Sequence, residues 1–295
     1  MEEAIGRDAR DARDVVVGVD GSPASLAAVR WAADDAARIP APLRIVHVLD
    51  RHPYQIAKFP DPELGDQLAR SAARILETAK REAEDRRPGL EITTQMIEGR
   101  PAEMLREQAA GAAELVVGTR GMGGFAGAVM GSVSMTVAGH APGPVIVIRS
   151  LPEVPSGEIV VGVDDSSACE PAIAYAFEQA RARGAGLRAV HAWQVPVHAY
   201  APEITYEMDE IRTAQHAVIA GVLDSWRERY PDVKVTDDVR CGHPVEALVD
   251  ASQGADLLVI GCHGRGAISS ILLGSVSRGI LHHAACPVAV VRPSV

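Results

Sequence analysis

Lysine is almost missing from this chain. Only Lys58, Lys80 and Lys234 occur among 295 residues, so the 29 basic residues are otherwise arginine (29 − 3 = 26). No lysine sits in a GxxxxGK[ST] loop, which excludes a P-loop NTPase. Cysteine is scarce too, with four residues and no CxxC pair. That spacing argues against a structural zinc and suits a reducing compartment. Positive charge is in deficit, 29 basic against 39 acidic residues for a net −10. That balance argues against a broad phosphate-neutralising face, and nucleic acid is not expected as a partner. Aromatics make up 4%, and neither Trp31 nor Trp193 belongs to an array that could stack bases. No apolar run reaches 18 residues, so no spanning helix is expected. The opening MEEAIGRDARDARD is charged throughout and does not read as a secretion signal. A cytoplasmic protein is the expectation.

What is present is a repeat. VVVGVDGS (15–22) returns as IVVGVDDS (159–166), LRIVHV (43–48) as LRAVHA (187–192), and GRPAEML (99–105) as GHPVEAL (242–248). The segment 114–134 returns at 256–277, and HAPGPVIVIR (140–149) is echoed by HHAACPVAVVR (282–292). Order and offset are kept, so one domain has been duplicated. The expected boundaries are 14–149 and 158–295, joined by a linker at 150–157 rich in proline, serine and glycine.

Each copy alternates strands with helices. VVVGV, IVVGV, LVVG and LLVIG are short continuous apolar runs, as expected of parallel strands covered on both faces. Ser22-Pro23 supplies a cap and a first-turn proline for a helix to about Arg38. Ile211, Ala214, Val218, Val222 and Trp226 predict a helical stripe ending before Tyr230-Pro231. Five strands and four helices per copy give an α/β, doubly wound, Rossmann-like domain, whose ligand belongs outside the carboxyl ends of the strands.

The most specific feature follows the fourth strand. Gly118, two residues, Gly121, nine residues and Gly131-Ser132 match Gly261, two residues, Gly264, nine residues and Gly274-Ser275. Glycines let a backbone curve with φ > 0 or approach a ligand without a Cβ in the way. The helix that begins GSVS offers unpaired N–H groups and hydroxyls at its positive end. Such a turn can hold a phosphate chain without lysine. Asp20 and Asp164 end the first strands, where a carboxylate can accept from ribose hydroxyls or an adenine amine. The alternative is a cap on the next helix, a role that Ser22 and Ser166 are expected to fill.

These motifs resemble the universal stress protein family in its tandem-domain, ATP-binding form. The resemblance spans about residues 14–149 and 158–293. It implies a five-stranded sheet of order 3-2-1-4-5 and the adenine nucleotide alpha hydrolase-like class. By it, Gly18, Val19 and Asp20 approach adenosine and Val48 lies near the base. Gly118, Thr119, Arg120, Gly121, Met122 and Gly123 hold phosphates, together with Gly131, Ser132, Val133 and Ser134. In copy two the nucleoside falls to Gly162, Val163, Asp164 and Ala192. The phosphates fall to Gly261, Cys262, His263, Gly264, Arg265 and Gly266, with Gly274, Ser275, Val276 and Ser277. The implied cofactor is ATP, with or without Mg2+.

The copies differ inside the first glycine pair, Thr119-Arg120 against Cys262-His263. Losing an arginine weakens the grip on a triphosphate, although Arg265 lies two positions on. Two adjacent side chains with no third ligand do not make a metal site. His47 and His191 read as satisfied histidines within the second strands, and Cys286 as buried. His140, His282 and His283 close the last helices, where they suit the dipole. Pro53, Tyr54, Phe59, Pro60 and Pro62 mark a long loop after the second strand. A nucleotide-responsive binding protein is expected, a stress-response or growth regulator. The competing reading is a slow ATPase or phosphotransferase, for which no base is evident. A dinucleotide fold is disfavoured, since GVDGSPAS lacks GxGxxG. The fifth strands, 145–149 and 288–292, carry no internal proline or lysine and are expected to pair as an intramolecular pseudo-dimer, with a homodimer of chains beyond it.

Overall fold

The computed structural model describes residues 13–51, 62–121, 130–149, 151, 154–194, 207–262 and 273–292. The chain divides into two compact units, Met1–Ile148 and Arg149–Val295. The first contains β1 (Val15–Gly18), α1 (Pro23–Arg38), β2 (Leu43–Leu49), α2 (Pro62–Arg86), β3 (Ile92–Glu98), α3 (Pro101–Ala109), β4 (Glu114–Gly118), α4 (Ser132–His140) and β5 (Gly143–Ile148). Its strands run parallel in the order β3-β2-β1-β4-β5. Val15 pairs with Leu43 on one side and Glu114 on the other. Val15, Val16 and Val17 are fully buried, as a central strand with helices on both faces requires.

The second unit contains β6 (Glu158–Gly162), a 3-10 turn (Ser167–Cys169), α5 (Glu170–Arg183), β7 (Gly186–Trp193), α6 (Met208–Arg229), β8 (Val235–Cys241), α7 (Pro244–Ser252), β9 (Leu257–Gly261), α8 (Ser275–His283) and β10 (Val288–Arg292). Its order is β8-β7-β6-β9-β10, the same 3-2-1-4-5 winding. Both units are doubly wound α/β folds.

Local signals explain the start of α1 and the end of α5. The Ser22 hydroxyl accepts from Ser25 N at 3.2 Å, and Pro23 opens α1 where its missing N–H costs nothing. Gly184 ends α5 in the left-handed region at φ 62°. Pro62 begins α2 rather than belonging to the preceding loop. Pro53, Tyr54, Phe59 and Pro60 lie outside the described residues. Among the described residues no helix is long and apolar enough to cross a membrane.

The helix layers are filled differently in the two units. On α1 and α2 the buried positions are mainly small, among them Ala32, Ala33, Ala36, Ala79 and Ala83. Asp34 ties these helices by ion pairs to Arg86 and Arg87, both at 2.7 Å. Burial raises the Asp34 pKa, but the two guanidinium groups outweigh it and the net shift is downward. In the second unit aromatic rings fill the space. Phe177 of α5 stacks on Trp226 at 5.9 Å and leans on Tyr230 at 5.3 Å, with Arg181 4.9 Å above the Tyr230 ring.

The stripe expected on α6 holds at Trp226, which packs on Phe177, but is out of phase before it. Ile219 and Leu223 are fully buried, while Val218 is 37% exposed. Apolar residues at 218, 219, 222 and 223 permit two phases of a 3.6-residue pattern. The sheet takes the phase that buries Ile219 and Leu223. Leu223→Ala should therefore cost about 2–5 kcal/mol and Val218→Ala no more than about 0.5 kcal/mol. Urea unfolding midpoints at constant slope would read this difference, and equal costs would contradict the packing.

Candidate functional site

In the first unit, β1, β2 and β4, with the starts of α1, α3 and α4, enclose a cavity of about 310 Å3. That lies at the low end of small-molecule sites, roughly 300–1,000 Å3. Eleven of the sequence-selected residues line it: Gly18, Val19, Asp20, Val48, Gly118, Arg120, Gly121, Gly131, Ser132, Val133 and Ser134. Thr119 does not. Its side chain is buried, and its backbone works instead, with Thr119 N donating to Ile148 O and Thr119 O accepting from Gly131 N at 2.7 Å. Met122 and Gly123 lie outside the described residues.

The turn is anchored from below and leaves donors facing the cavity. The Ser134 hydroxyl donates to Gly118 O at 2.6 Å, pinning α4 to the end of β4. No side chain caps α4, whose N-cap is Gly131. The first-turn N–H groups of Ser132, Val133 and Ser134 thus lack an intrahelical partner and border the cavity. Arg120, exposed at the rim, adds a cation. This end suits an anion.

Asp20 is held by its own turn. Its Oδ1 accepts from Ser22 N at 3.0 Å, while an ideal Cβ on Gly121 would overlap its Oδ2. The Ser22 hydroxyl donates to Arg120 O at 3.1 Å and so joins the β1–α1 turn to the glycine turn. His47 supports the same strand end. Its Nδ1 lies 2.8 Å from Val19 O, and since a carbonyl only accepts, that nitrogen carries the proton. His191 repeats this on Val163 O at 2.9 Å. Both histidines are satisfied, as read from the sequence.

The role of the glycines needs correction. Among the described motif glycines none has a positive φ; that region is taken by Gly21, Gly89, Gly99, Gly111, Gly143, Gly157 and Gly184. Gly118 is required by contact. A Cβ there would lie 2.7 Å from the Ala24 carbonyl carbon and 3.0 Å from Ser25 N.

Sequence reading missed the apolar wall formed by Val46, Pro101, Leu105 and Val117, and it missed Ser25. The signal existed in the repeat of GRPAEML as GHPVEAL, which keeps Pro101 and Leu105 as Pro244 and Leu248. Leu105 needs Gly18 opposite it, because a Cβ there would sit 3.0 Å from both Leu105 methyl carbons.

The second unit rebuilds the same frame. Ser277 Oγ donates to Gly261 O at 2.8 Å, and Gly274 N donates to Cys262 O at 3.0 Å. Gly274 caps α8, followed by Ser275, Val276 and Ser277. Gly162 faces Leu248 as Gly18 faces Leu105. Val163 and Cys262 are buried, Asp164 half-buried, and Ala192 stands where β2 has Val48. His263, Gly264, Arg265 and Gly266 lie outside the described residues. Ser166, expected as a helix cap, makes no side-chain cap bond; its hydroxyl turns back to Asp164. Among the described residues no group of three His, Cys, Asp or Glu is arranged for a metal.

Comparison with known proteins gives one answer. Residues 12–149 and 156–292 each match the family model described as the universal stress protein family. A universal stress protein of Mycobacterium bovis is 36% identical over 297 residues, covering 97% of this chain and 99% of its own. Another, from Mycobacterium tuberculosis, is 35% identical over 299 residues, with 94% of each chain covered. A crystal structure of a universal stress protein from Archaeoglobus fulgidus shares the fold at TM-score 0.71 and 18% identity, covering 97% and 99% of the two chains.

The Gly118 contact gives a test of sign. Gly118→Ala must push β4 from α1 and should cost about 1–3 kcal/mol. Gly221→Ala, in α6 with nothing within 4 Å of the added methyl, should stabilise by up to about 1 kcal/mol through helix propensity. Calorimetric Tm values would show the two shifts. A neutral Gly118→Ala would contradict the close approach.

Proposed function

We propose that this chain, which belongs to the universal stress protein family, is an adenine-nucleotide-responsive regulator with one site per unit. ATP is the nucleotide, with or without Mg2+, and its occupancy adjusts a stress or growth response in the cytoplasm. The carrying observation is that one cavity combines an apolar wall, a carboxylate and an uncapped helix N-terminus. A nucleotide has the matching parts. The base packs on Val46, Val48, Leu105 and Val117, a ribose hydroxyl donates to Asp20, and phosphates meet the first turn of α4 and Arg120. In the second unit, Asp164 and the start of α8 take the same roles.

Binding is favoured over a dedicated enzyme by what the cavity lacks. Among the described lining residues Asp20 is the one carboxylate, and none is histidine, lysine or glutamate. Asp20 already accepts from Ser22 N, and hydrolysis needs a group aimed at the attacking water. Asp20→Ala should weaken ATP about tenfold, the worth of a hydrogen bond to a charged group. Inorganic tripolyphosphate should change less than about twofold by the same titration. Equal losses would contradict a nucleoside role for Asp20, and substantial steady-state phosphate release would favour the enzyme.

The proposal extends to assembly. Edge strands without lysine or internal proline invite pairing, and residues 145–149 and 288–292 have that composition. Pairing of the two units through β5 and β10 would protect both, and two chains would then form the homodimer. Eight linker residues reach at most roughly 26–29 Å. Cleaving the folded protein at a site engineered into 150–157 should leave two halves that co-elute in gel filtration. Soluble halves that elute separately would contradict the pairing.

A further inference from the structure

The two copies keep their carboxylate but spend it differently. In the first unit Asp20 Oδ1 accepts from Ser22 N, and the Ser22 hydroxyl donates to Arg120 O in the glycine turn. In the second, Asp164 Oδ1 accepts both Ser166 N at 3.0 Å and the Ser166 hydroxyl at 2.5 Å. A hydroxyl has one proton, so Ser166 cannot also make the bond that joins the two turns in the first unit.

The cause is local sequence. Pro23 starts α1 directly after its cap, whereas Ser167 stands at that position in the second copy. The chain there enters a 3-10 turn, and α5 begins only at Glu170. Ser25, which lines the first cavity, is replaced by Cys169, whose thiol lies 3.1 Å from both Asp164 O and Ser166 O. Burial pushes that thiol up to about 11, so it remains a neutral donor. Charge changes in the same direction. Residues 20–26 carry one carboxylate, while residues 164–170 carry three: Asp164, Asp165 and Glu170. Glu170 falls in the first turn of α5 and offsets its positive end. The added carboxylates make the β6–α5 side of the second site more negative toward an anionic ligand, and a ribose meets an aspartate oxygen already occupied twice.

We infer that the two nucleotide sites are unequal, the first binding ATP at least about tenfold more tightly than the second. Such a chain fills one unit at low ATP and both only at high ATP. The inference rests on the nucleotide reading above.

Calorimetric titration of the full chain with ATP tests it. Two classes of site are expected, with Asp20→Ala removing the tighter and Asp164→Ala the weaker. One serine-to-alanine change should act with opposite signs in the two copies. Ser22→Ala loses the bond to the glycine turn and weakens the tight class. Ser166→Ala removes the hydroxyl bond to Asp164 Oδ1, leaves the bond from its own N–H, and tightens the weak class by about three- to tenfold. Asp165→Asn, at an exposed position, should tighten it by about twofold. Two equal sites in the parent chain would overturn the inference, as would removal of the weaker class by Asp20→Ala, or a loss of affinity with Ser166→Ala in a chain of unchanged Tm. If neither aspartate substitution moves either class, the nucleotide reading itself has failed and the inference falls with it.

Discussion

No methyl group fits between the end of β4 and the first turn of α1, and the site depends on that contact. With Gly118 under Ala24 and Ser25, the carboxyl ends of β1 and β4 and the start of α1 converge. Convergence puts Asp20 against Gly121 and lets the Ser22 hydroxyl reach Arg120 O. It also lets Ser134 hold α4 on Gly118 O, leaving the N–H groups of that helix turned to the cavity. A doubly wound sheet makes a crevice at this point by topology. The glycine makes it narrow enough to be a site.

Duplication has preserved the frame and released the details. Both copies keep the serine that pins the last helix and the leucine opposite the glycine that ends the first strand. The contents of the helix layers have diverged, small residues and an Asp34–arginine cluster in one unit and a ring stack in the other. Packing of that layer needs only volume and satisfied charge, so many sequences serve. The first turn of α1 borders the cavity instead, and at its counterpart in the second unit Ser167 in place of Pro23 alters helix start and hydrogen bonding, while Asp165 and Glu170 add charge.

The helix positions and most polar residues that line the first cavity were legible in the sequence, because repeats, caps and glycine spacing are local signals; the strand order came from the family resemblance. The apolar wall was not. Val46, Leu105 and Val117 look like any core residue until the sheet shows which side of them is empty. The phase of α6 was ambiguous for a related reason, since adjacent apolar pairs at 218–219 and 222–223 fit two faces and only the sheet chooses. Positive φ is not the explanation for the described motif glycines, as a spacing of glycines does not distinguish a left-handed turn from a crowded one. Ser166 misled because a serine before a helix caps only when the helix starts immediately after it, and here a 3-10 turn intervenes.

The central claim is that these duplicated crevices carry adenine nucleotide. Its most direct test is to denature the freshly purified full chain and identify what it releases by mass spectrometry. The account predicts adenine nucleotide, with ATP the main species, at between one and two equivalents per chain, the fraction above one growing as the final buffer is enriched in ATP. Release of no nucleotide, together with no uptake when ATP is supplied in excess, would contradict it.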